Sequence, residues 1–368
     1  MLFERLQIIG LLSLIIIGCG SSSDENINNE FPNDDKENII EEVIVNIEPI
    51  DSIWVSGSEN VITHWNEDIL IPSVTGLLTL NLDDNGYIDE QNLIVEHPSY
   101  LVEVQGNTIA SLQGNKIIFY HYDGLTLNEL YQTEPEELRQ VPFTSQNNCF
   151  YWVALNKVSS PLSTVKEMCH VGGEFISNSI ITTDKLINNI IALPDNRFVT
   201  TSTIDSNNFI SLYKKESDVF QIKSTVKEDG VSILLDLEYK NDYLYADLGP
   251  TDIPDHQGEG GFIRYNLAGN TISDRLKLSD IMTDNAQYDH IAVSPDGIIL
   301  ANDKKLKHFI ISNGIIEKIV YAEIENSISS VYVHGHYIVL VLRDPPSSFS
   351  TGVHGASGVH IYSLKELL

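Results

Sequence analysis

The sequence predicts an all-β fold from residue 43 to the C-terminus, and two observations lead to this prediction. Apolar or alternating runs are interrupted about every eight to twelve residues by Gly, Asn, Asp or Pro, as expected for short strands joined by turns. No run with helical periodicity extends beyond about two turns. The chain has 368 residues, and the part that follows residue 42 is long enough for one large domain or two ordinary ones.

One type of strand recurs along the chain and predicts a ring of similar blades. Each copy has a glycine or polar lead-in followed by alternating aromatic or aliphatic residues. The spacing of about 40 to 53 residues suits a four-stranded propeller blade. Seven copies begin at Gly76, Lys116, Val165, Asn208, Gly261, Lys307 and Gly358. The sequence therefore predicts a seven-bladed β-propeller, with two alternatives: six blades plus a hairpin around Trp54, or eight blades.

The N-terminal part of this domain is predicted to close the ring. No fourth strand follows the last copy before Leu368, whereas an extra strand around Val43 to Ile47 precedes the first complete unit. We predict that this strand completes the last blade, because an open propeller would expose edge strands that pair with other chains.

Tight turns join the first two strands of each unit, most clearly in HIAVSPDGIILAND from His290. Pro295 presets φ for the turn, and Gly297 is predicted to supply a positive φ. The segment from Ile190 repeats the turn with Asn196 in place of glycine. This hairpin resembles those of lactonase-like β-propellers. The resemblance implies an alternative function, a lactonase-like or metal-dependent hydrolase with its site at the mouth of the central channel.

Residues 1–18 have the pattern of a secretory signal peptide, with an apolar stretch from Leu6 to Ile17 that is short for a membrane span. The sequence Ile-Ile-Gly-Cys ending at Cys19 resembles the bacterial lipobox. The resemblance implies that Cys19 is lipidated and that acyl chains anchor the protein in the bacterial cell envelope. Gly20 after the cysteine favours the outer membrane by the same resemblance.

An acidic tether is predicted between the anchor and the propeller, over residues 19–42. Residues 20–42 contain eight acids and one lysine and few large apolar side chains, so they cannot bury enough surface to fold. The whole chain has a formal charge of −30, which argues against nucleic acid as a partner because phosphate contacts need a basic face. The simplest explanation of this charge is that an acidic surface keeps the protein soluble.

Cys149 and Cys169 are predicted to form a disulfide, since export places them in an oxidising compartment. They flank Leu155 to Ser163, and a hairpin that turns near Ser159 would set them opposite each other.

Long insertions fall mainly in loops that join second to third strands, which predicts one decorated binding face. The candidate binding residues are Asp247, Asp252, Asp255, His256, Glu259, Arg343, Asp344 and His354. Carboxylates and imidazoles can hold Ca²⁺ or another divalent metal, but their spacing matches no known motif, so no cofactor is assigned. His290, His334 and His336 are predicted to be structural or solvated.

No nucleophile elbow, His-Glu-x-x-His pair or phosphate loop occurs, so no catalytic residue is assigned and the balance is against an enzyme. The leading prediction is a lipid-anchored propeller that binds a protein or a polymeric envelope ligand through its decorated face. A purely structural lipoprotein whose loops contact cell-wall material is a further alternative.

Overall fold

The computed structural model describes residues 40–56, 62–135, 144–155, 162–204, 207–228, 234–248, 261–277, 290–302, 304–312, 314–343 and 356–368. In these residues the chain forms seven successive sheets of four antiparallel strands, and the sixth sheet has a fifth strand. The prediction of an all-β, seven-bladed propeller closed by an N-terminal strand is confirmed.

Strands are numbered in chain order, and the N-terminal pair is β1 (Glu41–Val45) and β2 (Asp51–Ser56). The first blade contains β3 (Thr63–Trp65), β4 (Asp68–Ser73), β5 (Gly76–Leu82) and β6 (Ile88–Val95). The second contains β7 (Leu101–Gln105), β8 (Thr108–Gln113), β9 (Lys116–Tyr122) and β10 (Leu127–Gln132). The third contains β11 (Thr144–Gln146), β12 (Cys149–Leu155), β13 (Ser163–Val171) and β14 (Glu174–Thr183).

The fourth blade contains β15 (Leu186–Leu193), β16 (Arg197–Ile204), β17 (Asn207–Glu216) and β18 (Val219–Glu228). The fifth contains β19 (Leu234–Lys240), β20 (Tyr243–Leu248), β21 (Gly261–Asn266) and β22 (Ser273–Lys277). The sixth contains β23 (His290–Ser294), β24 (Gly297–Asn302), β25 (Lys305–Ser312) and β26 (Ile315–Glu323). The seventh contains β27 (Ser327–His334), β28 (Tyr337–Arg343) and β29 (Ala356–Ser363), followed by a 3₁₀ turn, Leu364–Leu367.

Each of the seven recurring segments forms the third strand of a blade, which explains their even spacing. The first strands of successive blades contact one another and line the central channel. Loops between second and third strands and links between blades lie on one face, here called the loop face. First-to-second and third-to-fourth turns lie on the opposite face, here called the hairpin face.

Hydrophobic clusters lie between neighbouring blades and set the burial of each strand. Second strands such as β4 are buried along almost their whole length, because both faces pack against adjacent sheets. The outermost strand β6 is exposed over most of its length. Burial of both faces of the middle strands holds each blade in its place in the ring.

Turns between the first and second strands depend on residues that tolerate a left-handed backbone. Six of these hairpins place Asn66, Gly106, Asn147, Asp195, Asn241 or Gly335 at a φ between 51° and 64°. The expectation that Gly297 supplies a positive φ is wrong. A Cβ at Gly297 would lie 1.7 Å from the carbonyl oxygen of Phe309, so glycine is needed there because β25 passes too close.

Ring closure uses a different N-terminal strand from the one predicted. The prediction that the strand around Val43 completes the last blade is wrong, because β1 instead pairs in parallel with β26 of the sixth blade. The seventh blade is completed by β2, which pairs antiparallel with β29. Trp54, assigned to a separate hairpin in the six-blade alternative, lies within this closing strand.

Further contacts fasten both ends of the propeller to the sixth blade. Glu42 on β1 accepts a 3.2 Å hydrogen bond from the buried Lys307 ammonium. Ile47 packs in the core between the sixth and seventh blades, together with Leu364 and Leu367 of the 3₁₀ turn. The ring is therefore closed by β2, while β1 and the C-terminal 3₁₀ turn pack the two ends of the chain against the sixth and seventh blades.

The third blade carries a disulfide between Cys149 and Cys169, as the hairpin model requires. The two residues lie directly opposite each other on β12 and β13, with Cα atoms 4.0 Å apart. The predicted turn near Ser159 lies outside the described residues.

Candidate functional site

Three carboxyl groups lie on the first strands of two blades and have raised pKa values. Glu103 lies on β7 of the second blade, and Asp236 and Glu238 lie on β19 of the fifth. Glu238 and Glu103 interact electrostatically across the ring. These residues are called the channel carboxyls.

Glu103 is tied to the next blade by a short hydrogen bond. The hydroxyl of Ser145 on β11 donates to Glu103 Oε1 at 2.7 Å and also lies 3.0 Å from the carbonyl oxygen of Val104. Burial raises the pKa of Glu103 to about 7, although the Ser145 bond acts to lower it. Glu103 can therefore take up or release a proton near neutral pH.

Asp236 and Glu238 are two residues apart on β19, and their carboxyl groups interact electrostatically. Burial raises the pKa of Glu238 to about 8, and the negative charges of Asp236 and Glu103 add to this effect. Burial also raises the pKa of Asp236 to about 6. Asp236 accepts the backbone N–H of Ile291 on β23 at 3.1 Å, which links the fifth and sixth blades.

A tyrosine on β27 of the seventh blade belongs to the same electrostatic group. Burial raises the pKa of Tyr332, and the charges of Glu238 and Glu103 raise it further. The hydroxyl therefore stays protonated when the carboxyls ionise. Side chains from the second, fifth and seventh blades thus share one partly buried acidic environment.

Two histidines adjoin Tyr332 where the first and seventh blades meet. His64 Nδ1 and the Tyr332 hydroxyl are joined by a hydrogen bond, and the rings of His64 and His334 lie 5.9 Å apart. Burial and the neighbouring His64 lower the pKa of His334, although Glu67, 4.0 Å away, opposes this. His334 ends β27 at the hairpin face.

The channel carboxyls do not form a compact ion site. Among the described residues, the one group of three donor side chains close enough to share an ion is Cys149, Glu167 and Cys169. Its two sulfurs already form the disulfide. In the part of the chain that the structure describes, the channel carboxyls therefore supply no group of three such donors for the metal that the lactonase-like resemblance implies.

The structure describes few of the sequence-predicted binding residues. The backbone of Asp247 lies within β20, opposite Phe262, rather than in a loop. Arg343 is exposed and ends β28 at the loop face. The remaining candidates lie outside the described residues: Cys19, Asp252, Asp255, His256, Glu259, Asp344 and His354.

Sequence reasoning missed the channel carboxyls, although a signal was present. Acids interrupt otherwise apolar first strands in LVEVQ around Glu103 and in LLDLEYK around Glu238. Such acids are more often solvent-facing residues of an alternating strand, so the pattern alone does not show that they meet across a channel. Only the ring brings these two strands together.

No protein-family model matches the chain, and no curated protein matches its sequence. Solved structures match its fold. The WD40 domain of Neurospora crassa Pan2 is 10% identical with a TM-score of 0.58, over 87% of this chain and 97% of that one. The chain is a β-propeller.

Two further solved structures share this fold. A chain of the Mitotic Checkpoint Complex is 10% identical with a TM-score of 0.58, over 96% of this chain and 99% of that one. The extracellular domain of the putative hybrid two component system BT4673 from B. thetaiotaomicron is 15% identical with a TM-score of 0.52. That match covers 86% of this chain and 39% of the other. Identities this low show the fold alone.

Within the described part of the chain, no helix has the length and apolar character needed to cross a membrane.

Proposed function

We propose that this chain is a lipid-anchored β-propeller of the bacterial cell envelope that binds a protein or a polymeric envelope ligand through its loop face. Its lipidated residue would be Cys19. The observation that carries the proposal is that the N-terminal entry of the chain and the predicted binding loops belong to opposite faces of the propeller. Because β1 runs parallel to β26, the chain enters the propeller at the hairpin face, at Ile40. The predicted binding loops belong to the opposite face.

The described ring suits a binding platform because hydrogen bonds tie its first strands together. Ser145 bonds to Glu103 of the preceding blade, and Thr144 Oγ1 accepts the backbone N–H of Ala192 of the following blade at 3.0 Å. Asp236 links the fifth blade to the sixth in the same way. A scaffold that is rigid before binding loses less conformational entropy when a partner is bound.

The fold neighbours support this proposal by analogy. One of them is a chain of the Mitotic Checkpoint Complex, and another is an extracellular domain of a putative two component system. A multiprotein complex and an extracellular domain are both contexts in which a propeller can bind other macromolecules without catalysing a reaction.

The binding proposal is tested by cross-linking and affinity capture from detergent-solubilised envelopes. A variant in which residues 345–354 are replaced by a Gly-Ser linker of equal length should capture about tenfold less partner than the wild-type chain, a loss typical of a removed hot spot. Val171→Ser, at an exposed hairpin-face position, is the matched control and should capture as much as the wild-type chain. Equal capture by all three chains, or no partner at all, would contradict the proposal.

The anchor is tested by metabolic labelling with an alkyne fatty acid followed by membrane fractionation. Cys19→Ser should abolish the label and release the chain into the soluble fraction, because acyl chains supply the membrane affinity. Retention of Cys19→Ser in washed membranes would show that the attachment has another origin.

A further inference from the structure

A cavity of about 440 Å³ opens on the hairpin face between the first and second blades. It is formed by the side chains of β4, β5 and β6 on one side and by the end of β9 and the turn into β10 on the other. It is called the blade 1–2 pocket. None of the channel carboxyls lines it, and it lies on the face opposite the loop face, so it is separate from the binding surface proposed above.

The inner part of the pocket holds a carboxylate surrounded by polar partners. Asp68 Oδ1 accepts a 3.1 Å hydrogen bond from the Asn81 amide. The Tyr122 hydroxyl lies 3.4 Å from Asp68 Oδ2 and 3.3 Å from the carbonyl oxygen of Gly124, so it donates to these acceptors. Burial and the charge of Asp68 raise the pKa of Tyr122 to about 12, which keeps this hydroxyl a donor.

The outer part of the pocket repeats the pairing of a carboxylate with an amide. Glu90 Oε1 accepts a 2.8 Å hydrogen bond from the Asn92 amide. The Thr79 hydroxyl points to the carbonyl oxygen of Asn92 at 3.4 Å. Each of these amide and hydroxyl groups thus has an acceptor within the lining, and each amide keeps a second N–H. Carboxylate and amide oxygens still have lone pairs without a partner in the lining.

The lining formed by the described residues is negatively charged, and its rim is apolar. Asp68 and Glu90 are acidic, and none of the described residues that line the cavity is a lysine, arginine or histidine. Leu125 is 92% exposed and Leu93 is 48% exposed at its edge. The pocket therefore offers acceptors and negative charge inside and apolar contact outside.

We propose that the blade 1–2 pocket binds a cation that only donates hydrogen bonds and is carried on an apolar stem, namely a guanidinium or a primary ammonium group. Such groups have no acceptor atoms, so they match a lining with surplus acceptors. The stem would lie against Leu125 and Leu93, since Arg and Lys carry long methylene chains. A neutral sugar fits less well, because it would leave the negative charges of Asp68 and Glu90 without a positive counterpart.

Two sources carry this chemistry: an arginine or lysine side chain of a partner protein, and a free amine. Isothermal titration of the purified chain distinguishes them with three probes: the blocked tripeptide acetyl-Ala-Arg-Ala-amide, the same peptide with neutral citrulline in place of arginine, and agmatine. We expect the arginine peptide to bind about tenfold or more tightly than the citrulline peptide, the difference typical of one charge-assisted hydrogen bond.

Variants locate the binding. Glu90→Gln should weaken binding of the arginine peptide about tenfold, and Leu125→Ala should weaken it by a smaller factor. Glu90 and Leu125 are both exposed, so neither change should alter the fold. Glu129→Gln removes the same charge from an exposed position of β10 outside the lining and should bind like the wild-type chain. Equal thermal melting of all variants verifies folding.

Each outcome bears on the proposal. Charge-dependent binding of the arginine peptide that is lost in Glu90→Gln supports it and identifies a partner side chain as the source. Binding of agmatine but not of the peptide supports the same chemistry with a free amine as the source. Equal affinity for the arginine and citrulline peptides, absence of binding by all three probes, or an unchanged affinity in Glu90→Gln would overturn it.

Discussion

The channel carboxyls make a definite prediction about how stability depends on pH. The folded protein raises the pKa of Glu238 from its ordinary 4.5 to about 8, first through burial and then through the charges of Asp236 and Glu103. The folded state therefore holds this proton more tightly than the unfolded chain. Glu238 therefore lowers the free energy of unfolding above pH 4.5, and this loss of stability grows until about pH 8.

The magnitude follows from the change in proton affinity. Each tenfold change corresponds to about 1.4 kcal/mol, so ionised Glu238 costs at most about 4 kcal/mol at pH 8. Part of this cost is repulsion from Glu103 and Asp236, which can be relieved by protonating either of them. We expect Glu238→Gln to stabilise the protein by about 2 to 3 kcal/mol at pH 8.5 and by less than about 0.5 kcal/mol at pH 4.5.

Urea unfolding at these two pH values measures the difference, with tryptophan fluorescence as the signal. Glu317→Gln, at an exposed position of β26, is the matched control and should change the unfolding free energy little at either pH. If Glu238→Gln gave no stabilisation at pH 8.5, or the same stabilisation at both pH values, the carboxyl would not be buried in a shared acidic environment and the reasoning would be refuted.

Three other predictions concern the fold. Replacing both Cys149 and Cys169 by serine should lower the free energy of unfolding by about 3 kcal/mol and lower the melting temperature. A reducing agent should lower the melting temperature of the wild-type chain by the same amount and leave that of the variant unchanged. Val55→Asp, at a 5% exposed position of the closing strand, should open the ring to limited proteolysis, whereas Trp54→Asp, at a 62% exposed position, should not. Burial lowers the pKa of His308, so the folded protein binds this proton more weakly than the unfolded chain, and stability should fall as the pH drops below about 6.5. Calorimetric melting should show a smaller loss of stability at acid pH in His308→Gln.

The sequence alone predicted the features that depend on local pattern. Alternation with a period of two identified the third strand of every blade, because it depends only on which side of a strand faces the core. The pairing of Cys149 with Cys169 followed from one hairpin, since residues on adjacent antiparallel strands are set by the turn between them. The turn at Asn196 was predicted because few residue types tolerate a positive φ.

Only the tertiary structure decided which parts of the chain meet across the ring. Both β1 and β2 have strand-forming sequences, and the choice between them depends on which sheet edges the closed ring leaves free. Glu103 and Glu238 are far apart in sequence and become neighbours because their strands line one channel. The blade 1–2 pocket likewise exists only where two sheets pack side by side. Local alternation encodes each blade, whereas contacts between distant segments depend on the geometry of closure, which no short stretch of sequence contains.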